Sequence, residues 1–315
     1  MKAGIPYLLA LLVALAFPQV FRSNFAVNFG VLVLFAAFIG QAWNIAGGFA
    51  GQLSFGHAVF FGTGAYASTL MHLKLGLSPW IGLPAAVAAG AAVGALVATL
   101  SFRAGLRGSY FALITLAFAE VFRIIANSVE WTGAGLGLLI PRKTALVNFQ
   151  FAERIGFYYV ILAFTVASIA IAWWLTYSRF GARLAAIREN EDAARALGID
   201  IFREKVKVMM LSGGLCGAGG TFYAQYFLYI DPSIAYGVDK SVEMLLVSMI
   251  GGLGTVWGPL VGALLLGIVG EATRALTDAP GLSLIIYGGL LILTIAFLPD
   301  GLSQLFRSRK RATGS

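Results

Sequence analysis

The sequence predicts an all-α fold, a polytopic transmembrane helical bundle with broken or re-entrant helices. Of its 315 residues, 59% are hydrophobic and only 11% are charged, against about 25% charged residues in soluble domains. The mean hydropathy of +0.85 is too high for a surface that faces water on all sides. The apolar runs are continuous and longer than the alternating strands of a membrane β-barrel. Because one crossing needs about 20 helical residues, the chain has room for about eight to ten spans.

Ten apolar runs follow one another along the chain. They cover residues 5–21, 25–45, 53–73, 79–102, 110–126, 157–177, 208–230, 241–250, 259–272 and 282–298. The first is interpreted as a retained insertion signal, and Ala14-Leu15-Ala16 leaves a cleaved signal peptide as the alternative. The eighth and ninth are short, so they are either two short spans or one helix broken by a re-entrant turn.

The positions of lysine and arginine predict the orientation. With ten crossings and a cytoplasmic N-terminus, fourteen of the 22 Lys and Arg residues lie on the cytoplasmic side, as the positive-inside rule requires. Arg142, Lys143 and Arg154, in the longest outer loop, count against this orientation. We therefore predict one integral-membrane domain over residues 1–315, with both termini in the cytoplasm and a cytoplasmic tail over residues 300–315.

Two glycine clusters interrupt the apolar runs, one in each half of the chain. They are residues 47–51 (GGFAG) and 251–254 (GGLG). Irregular backbone at membrane depth persists only where it is buried or lines a wetted cavity, and discontinuous helices line the pathway in many transporters. Small residues four apart also let helices pack closely. The pairs Gly47/Gly51, Gly90/Gly94, Gly213/Gly217 and Gly258/Gly262 fit that second interpretation, which is compatible with the first.

A charged segment, residues 178–207, separates the sixth and seventh runs. Between Arg179 and Lys207, twelve of 29 residues are charged. Within it, Asn190 is a good helix N-cap, the acidic residues Glu191 and Asp192 suit a first helical turn, and Gly198 suits the position after a helix end. A two-turn helix is marginal in water and needs a surface to rest on. The segment is therefore either a solvated amphipathic connector or a docking helix for a cytoplasmic protein.

Four segments in order resemble one family of transport proteins. Glu191-x-Ala193-Ala194-x-x-x-Gly198 is similar to the EAA loop of ABC-importer permeases. Its surroundings resemble the branched-chain amino acid (LivM-type) family of those permeases. The other three segments are residues 51–66 (GQLSFGHAVFFGTGAY), 108–118 (GSYFALITLAF) and 251–259 (GGLGTVWGP). The resemblance extends over roughly residues 25–305. It departs at residues 132–138 (TGAGLGL), where Leu136 replaces an aspartate that is common in the family.

The resemblance implies a permease subunit of a bacterial inner (plasma) membrane importer. Its implied partners are a second permease (a different, LivH-like chain), two cytoplasmic ATPase subunits, a periplasmic substrate-binding protein and membrane lipid. The charged segment would be the ATPase-coupling element. The coupling residues are Arg188, Glu189, Asn190, Glu191, Ala193, Ala194 and Gly198. The implied cargo is branched-chain amino acids. Urea, amides or another small solute, or an ion-coupled secondary transporter, remain the alternatives.

Polar and ionisable residues inside the runs are candidates for the translocation pathway because they are costly in lipid. The candidates are Asn44, Gln52, Ser54, Phe55, His57, Glu120 and Glu243. Each also has a structural interpretation: bracing the first glycine cluster for Asn44, Gln52 and Ser54, packing for His57, and local ion pairs for the two glutamates. The spacing predicts that Glu120 pairs with Arg123 and Glu243 with Lys240, the latter near the outer start of a short span.

Catalysis is not expected of this chain. Gly-Lys does not occur, so no Walker loop is present to hold ATP, and ATP hydrolysis is assigned to separate partner subunits. One cysteine and two histidines give little material for a metal centre. No catalytic residues, metal or cofactor are therefore predicted. Nucleic-acid binding is not expected either, because the basic residues follow membrane topology.

Overall fold

The computed structural model describes residues 5–276, 286, 288 and 289, with side chains from Leu12 to Arg274 and at the last three positions. Twelve α-helices and two short strands make up the described part. The helices are α1 (Ile5–Val20), α2 (Asn24–Asn44), α3 (Ala58–Leu75), α4 (Pro79–Arg103), α5 (Gly108–Ser128), α6 (Arg154–Tyr177), α7 (Arg179–Glu189), α8 (Glu191–Ala196), α9 (Ile201–Phe227), α10 (Pro232–Tyr236), α11 (Val238–Gly251) and α12 (Gly258–Leu276); the strands are β1 (Leu138–Leu139) and β2 (Tyr229–Ile230). The run at 282–298 and the tail at 300–315 lie outside the described residues, apart from positions 286, 288 and 289.

Four helical stretches are long and apolar enough to cross a membrane, among the described residues. They are Asn24–Phe49, Pro79–Arg103, Gly108–Ser128 and Arg154–Tyr177. Together with the near absence of sheet in the described part, they confirm the predicted class, a helical membrane bundle. The full number of spans stays a prediction.

The third apolar run differs from the prediction of one continuous span over residues 53–73. α2 ends in a π-helical turn, Ile45–Phe49, and residues 50–57 have no regular helix before α3 begins at Ala58. The glycines explain this, because Gly51 has a positive φ of 68°, a conformation that few other residues adopt. The bundle therefore contains a true helix break where the sequence placed a glycine cluster.

A seam of glycines packs α4 closely against α9. A Cβ atom added at Gly90 would lie 2.3 Å from the carbonyl oxygen of Gly213, and one added at Gly217 would lie 2.3 Å from that of Ala86. At Gly64 of α3, an added Cβ would lie 2.3 Å from the Gly217 Cα. Three backbones thus touch directly, which confirms the close-packing interpretation of the Gly90/Gly94 and Gly213/Gly217 pairs.

The strands tie the long loop between α5 and α6 to the rest of the bundle. β1 pairs antiparallel with β2, with Leu138 opposite Ile230 and Leu139 opposite Tyr229. β2 follows the end of α9 and precedes α10, which packs against α3 and α5. Residues 132–138 are thereby fixed at one end of the bundle, opposite the charged segment at the other end of α9.

Candidate functional site: two helix breaks and a charged segment

The two glycine clusters, far apart in sequence, meet in space. We call residues 45–57 the first break and residues 252–257, between α11 and α12, the second break. The side chain of Asn44 joins them: its Oδ1 accepts a hydrogen bond from the Gly254 N–H at 2.8 Å, and its Nδ2 donates to the Thr255 carbonyl at 3.0 Å. A Cβ at Gly48 would lie 2.3 Å from the Gly254 nitrogen, so the two backbones touch.

Polar side chains satisfy the irregular backbone of the first break. The indole N–H of Trp43 donates to the Ser54 carbonyl at 2.8 Å, and Gln52 Nε2 donates to the Ala50 carbonyl at 2.8 Å. The Ser54 hydroxyl accepts from the Gly56 N–H at 3.2 Å. Ser54 and Gln52 are buried. These contacts replace helical hydrogen bonds that the break removes, as buried backbone polar groups require.

The first break is also joined to α5 and α11. The Phe55 N–H donates to the Thr115 hydroxyl at 3.2 Å, and the Ala58 N–H donates to the Ser241 hydroxyl at 2.9 Å. Unlike its polar neighbours, Phe55 keeps 38% of its surface exposed. Phe55 is therefore the candidate pathway residue of this break whose side chain reaches an open surface.

His57 is fully buried and belongs to a hydrogen-bonded chain. Its Nε2 lies 2.9 Å from the Ser212 hydroxyl, which donates to the Ala42 carbonyl at 2.7 Å. The ring also packs against Phe60, with centroids 5.1 Å apart. These contacts support the packing interpretation of His57 and link α2, α3 and α9 behind the first break.

Glu120 pairs with Arg123 on α5, as the spacing predicts. The guanidinium donates two bonds to the carboxylate, from Nε at 2.9 Å and from Nη2 at 2.6 Å. The pair is partly exposed near the middle of a membrane-spanning helix, where unshielded charge is costly. α5 also exposes a row of apolar side chains, among them Leu113, Val121 and Ile124. This face of α5 therefore combines one ion pair with exposed apolar side chains.

Glu243 pairs with Lys240 on α11, with Lys240 Nζ 2.7 Å from Glu243 Oε2. The Lys240 ammonium lies over three aromatic rings, those of Tyr223 at 5.2 Å and of Phe35 and Phe61 at 5.8 Å. Phe35 lies near the middle of α2, so the pair is deeper in the bundle than the outer span end predicted from the sequence. Cation–π contacts and the carboxylate together compensate for the desolvation of the buried ammonium.

A cavity of about 660 Å³ opens beside this pair, between α2, α11 and α12. Its charged lining residues are Asp239, Lys240 and Glu243 of α11 and Glu271 and Arg274 of α12. Val33, Leu246 and other apolar side chains form the rest of its walls. The cavity therefore presents both signs of charge next to an apolar surface, a combination that suits a small zwitterion with an apolar side chain.

The charged segment folds as two short helices joined at Asn190. The Asn190 N–H ends α7 by donating to the Ala186 carbonyl, and its Oδ1 caps α8 by accepting from the N–H groups of Asp192 and Ala193, both at 3.0 Å. Gly198 follows α8 with a φ of 79° and open space where a Cβ would lie. The predicted capped helix is confirmed at both ends.

Glu191 faces inward, to the bundle, although the sequence offered it as a docking residue. Its carboxylate accepts from Lys205 Nζ and lies 3.1 Å from Arg107 Nε. Lys205 is almost fully buried and also lies over the Phe102 ring at 4.8 Å; burial lowers the pKa of its ammonium. Glu191 thus fixes α8 to α9 and to the connection between α4 and α5.

The remaining predicted coupling residues differ in exposure. Glu189 is exposed and lies 3.3 Å from Arg188, which reaches into the first break. Ala194 is buried against Ile187 and Ile201, whereas Ala193 is exposed. Among the predicted coupling residues, Glu189, Ala193 and Gly198 are therefore exposed without a side-chain contact to the bundle.

Sequence reasoning missed three members of this region: Arg107, Thr115 and Ser212. Each is polar and lies within or next to a family-like segment or a glycine pair. That position is the one sequence feature that could have identified them. Arg107 and Ser212 gain their partners only through contacts far away in sequence. A single sequence does not display such pairings.

Leu136, the departure from the family pattern, is 88% exposed on the outer loop. Its neighbour Ala134 has a φ of 46°, in the left-handed region that favours glycine. The loop thus keeps a glycine-type conformation at Ala134 while it presents an apolar side chain where an acid is common.

The fold and this site define the class: a helical membrane permease with paired helix breaks next to a charged helical segment. A family model described as "branched-chain amino acid transport system / permease component" matches residues 21–295. The chain belongs to this family, so it is a transport permease subunit and not itself an enzyme.

Among curated proteins, the chain is similar to the permease protein LivM of a high-affinity branched-chain amino acid transport system in Salmonella typhimurium. The two are 29% identical, over 96% of this chain and 75% of LivM. It is also similar to LivH of Escherichia coli, at 24% identity over 84% of this chain and 90% of LivH. The L-arabinose ABC transporter permease AraH of Azospirillum brasilense is 29% identical over 79% of this chain and 71% of AraH. No solved structure matches the chain.

Proposed function

We propose that this chain is one of two permease subunits of an ATP-binding-cassette importer for branched-chain amino acids. The observation that carries the proposal is the family match over residues 21–295, which includes the charged segment and both breaks. The similarity to both LivM and LivH supports a pair of different permease chains. In this proposal two ATPases bind the cytoplasmic side and a periplasmic protein delivers the substrate.

The charged segment is the ATPase-coupling element of this proposal. Its exposed residues leave a surface free, while Glu191 holds it to Lys205 of α9 and to Arg107. Movement of α7 and α8 would reach the membrane domain through these fixed contacts. The orientation proposed from the lysines and arginines, with both termini in the cytoplasm of a bacterial inner membrane, puts the segment on the side where ATP is available.

The proposed pathway uses the exposed or cavity-lining candidates, not the buried ones. Phe55, Glu120 and Glu243 reach a surface or the 660 Å³ cavity. Asn44, Gln52, Ser54 and His57 brace the first break from behind. A leucine-like zwitterion would find opposite charges at Lys240 and Glu243 and apolar contact at Val33 and Leu246.

The test is uptake by the complete transporter in liposomes, with ATP inside and binding protein outside. Labelled leucine should accumulate only when the ATPases and ATP are present. A Gly198→Leu variant, strained at its positive φ and bulky on the free surface, should keep ATP hydrolysis while uptake falls at least about tenfold. Ion-driven accumulation by the permease without its ATPases would contradict the proposal.

A second substrate class has one specific observation in its favour. The identity to AraH equals the identity to LivM, although it covers less of the chain, and Leu136 departs from the common aspartate. Competition of leucine uptake by isoleucine, valine, arabinose, urea and acetamide separates the classes. We expect competition by the two amino acids alone.

A further inference from the structure

One arginine of the charged segment contacts both helix breaks. Arg188, on the last turn of α7, donates from Nη1 to the Gly48 carbonyl at 3.0 Å. Its Cγ is 2.9 Å from the place where a Cβ on Gly51 would lie, and its Nη1 is 2.8 Å from the corresponding place on Gly254. Glycines at these two positions therefore make room for the arginine side chain.

The Gly48 carbonyl belongs to the π-helical turn that ends α2. Because the chain leaves the helix there, carbonyl groups of the last turn lack regular helical partners. A guanidinium is well suited to such a position, since its planar array of donors stays charged at every physiological pH. Arg188 thus supplies from the charged segment a donor that the membrane domain lacks at this point.

Asn44 and Arg188 act on the same junction from two sides. Asn44 joins the two breaks from within α2, and its partners are both backbone groups of the second break. Arg188 covers the junction from the charged segment, with its side chain about 40% exposed and a second partner, Glu189, 3.3 Å away. A guanidinium with an exposed alternative partner can leave the junction at lower cost than the buried amide can.

We propose that Arg188 is a latch that holds the two breaks together at the cytoplasmic end and is withdrawn when the charged segment moves. This inference rests on the coupling role proposed above and names the residue through which it acts. With Arg188 in place, Ala50 and the breaks are closed. When α7 moves, Arg188 transfers to Glu189 or solvent, and the junction between α2 and the α11–α12 turn is free to open.

The test measures how well the closed junction shields a cysteine. Ala50 is fully buried in the first break, so Ala50→Cys places a small thiol behind the latch. The native Cys216 is also buried and is replaced by Cys216→Ala in every variant. Alkylation by a maleimide is followed in everted membrane vesicles from cells that make the complete transporter.

We expect Arg188→Gln to raise the alkylation rate at position 50 about tenfold or more, since a hydrogen bond from a charged donor shifts an opening equilibrium by at least that factor. Arg188→Lys should restore slow alkylation, because its ammonium can still donate to the Gly48 carbonyl. Arg179→Gln removes the same charge from the exposed first turn of α7 and should leave the rate low.

Equal rates in the Arg188→Gln and Arg179→Gln vesicles, at equal amounts of folded permease, would overturn the latch. If both variants are alkylated quickly, general loosening of α7 explains the exposure of position 50, and a specific role of Arg188 is contradicted. The readout needs neither a known substrate nor ATP. The latch can therefore be contradicted while leucine uptake persists. Conversely, uptake can fail although Ala50→Cys is protected with Arg188 in place and is alkylated quickly in Arg188→Gln. That result would count against the proposed function alone.

In the leucine assay, the latch predicts a change in coupling ratio. Arg188→Gln should raise the ATP hydrolysed per leucine transported, with Arg188→Lys in between. An unchanged ratio in Arg188→Gln would contradict transmission through this residue.

Discussion

The glycine seam of α3, α4 and α9 and the junction of the two breaks are both built on glycines, but they are held together differently. In the seam, backbone atoms of neighbouring helices touch, as at Gly90 and Gly213. At the junction, the backbones of Gly48 and Gly254 also touch, but the long polar side chains of Asn44 and Arg188 make the hydrogen bonds to it. Close-packed backbones have few alternative arrangements, whereas polar side chains can exchange partners. The seam therefore suits a rigid body and the junction suits a moving part.

A substitution in the seam should have a larger effect on folding than one at the junction or in the charged segment. Gly217→Leu would place a branched side chain where even a Cβ lies 2.3 Å from the Ala86 carbonyl oxygen. Overpacking costs about 1–3 kcal/mol or more, and backbone atoms cannot move aside as a flexible side chain can. We therefore expect that most of the permease is no longer recovered in folded form. Thermal unfolding in detergent and recovery of monodisperse protein measure it.

Gly214→Ala is the matched control on the same helix. Its Cβ would lie 3.3 Å from Val87 Cγ1, a side-chain atom that can move. We expect near-native recovery for this variant. Equal recovery of Gly217→Leu and Gly214→Ala would show that the seam is not the rigid part of the molecule.

Breaking the anchor of α8 should have the next largest effect. Glu191→Lys would put a third cation between Arg107 and the buried Lys205. Removing one partner of a buried ion pair costs about 3–5 kcal/mol. Since the pair is only partly buried, we expect a cost at or below the lower end of this range. This cost should release α8 without unfolding the bundle.

Hydrogen exchange of residues 186–199 is the measurement for this release. It should become much faster in Glu191→Lys while exchange in α4 and α9 stays slow. Asp192→Lys makes the same charge change on the same helix at an exposed position, where its pairs with Arg195 and Arg107 contribute little, and should raise exchange much less. Global unfolding of Glu191→Lys would mean that the charged segment and the seam are one cooperative unit.

Loss of the Asn190 cap should have a smaller and more local effect. Asn190→Ala removes the acceptor for the Asp192 and Ala193 N–H groups, and such a loss costs about 1 kcal/mol. Exchange of these two amides should rise about fivefold, and Asn190→Ser should restore most of the protection. No change in Asn190→Ala would mean that contacts with α7 and α9 alone hold α8.

This cap also shows how far sequence reasoning reached. The cap, the glycine after α8 and the pairs at Glu120 and Lys240 are local, within a few residues, so spacing alone predicted them. Composition and apolar runs predicted the helical bundle because they too are properties of short stretches of sequence. The meeting of Gly48 with Gly254, and the inward direction of Glu191, depend on packing between distant parts of the chain. No local pattern records those contacts, and the third apolar run was accordingly predicted to begin at residue 53, whereas α3 begins at Ala58.

The smallest effect is expected at Glu120, which belongs to neither the seam nor the junction. Glu120→Gln leaves an amide that can still accept from Arg123, and the pair is partly exposed, so that it contributes little to stability. Leucine uptake should therefore stay within about twofold of the native rate, with thermal stability nearly unchanged. Glu120→Lys serves as the contrast, since it repels Arg123 on the open face of α5. Glu120→Gln could instead abolish uptake while folded protein and ATP hydrolysis persist. The moving part of the molecule would then have to extend from the junction to α5, and the exposed face of α5 would be part of the gate.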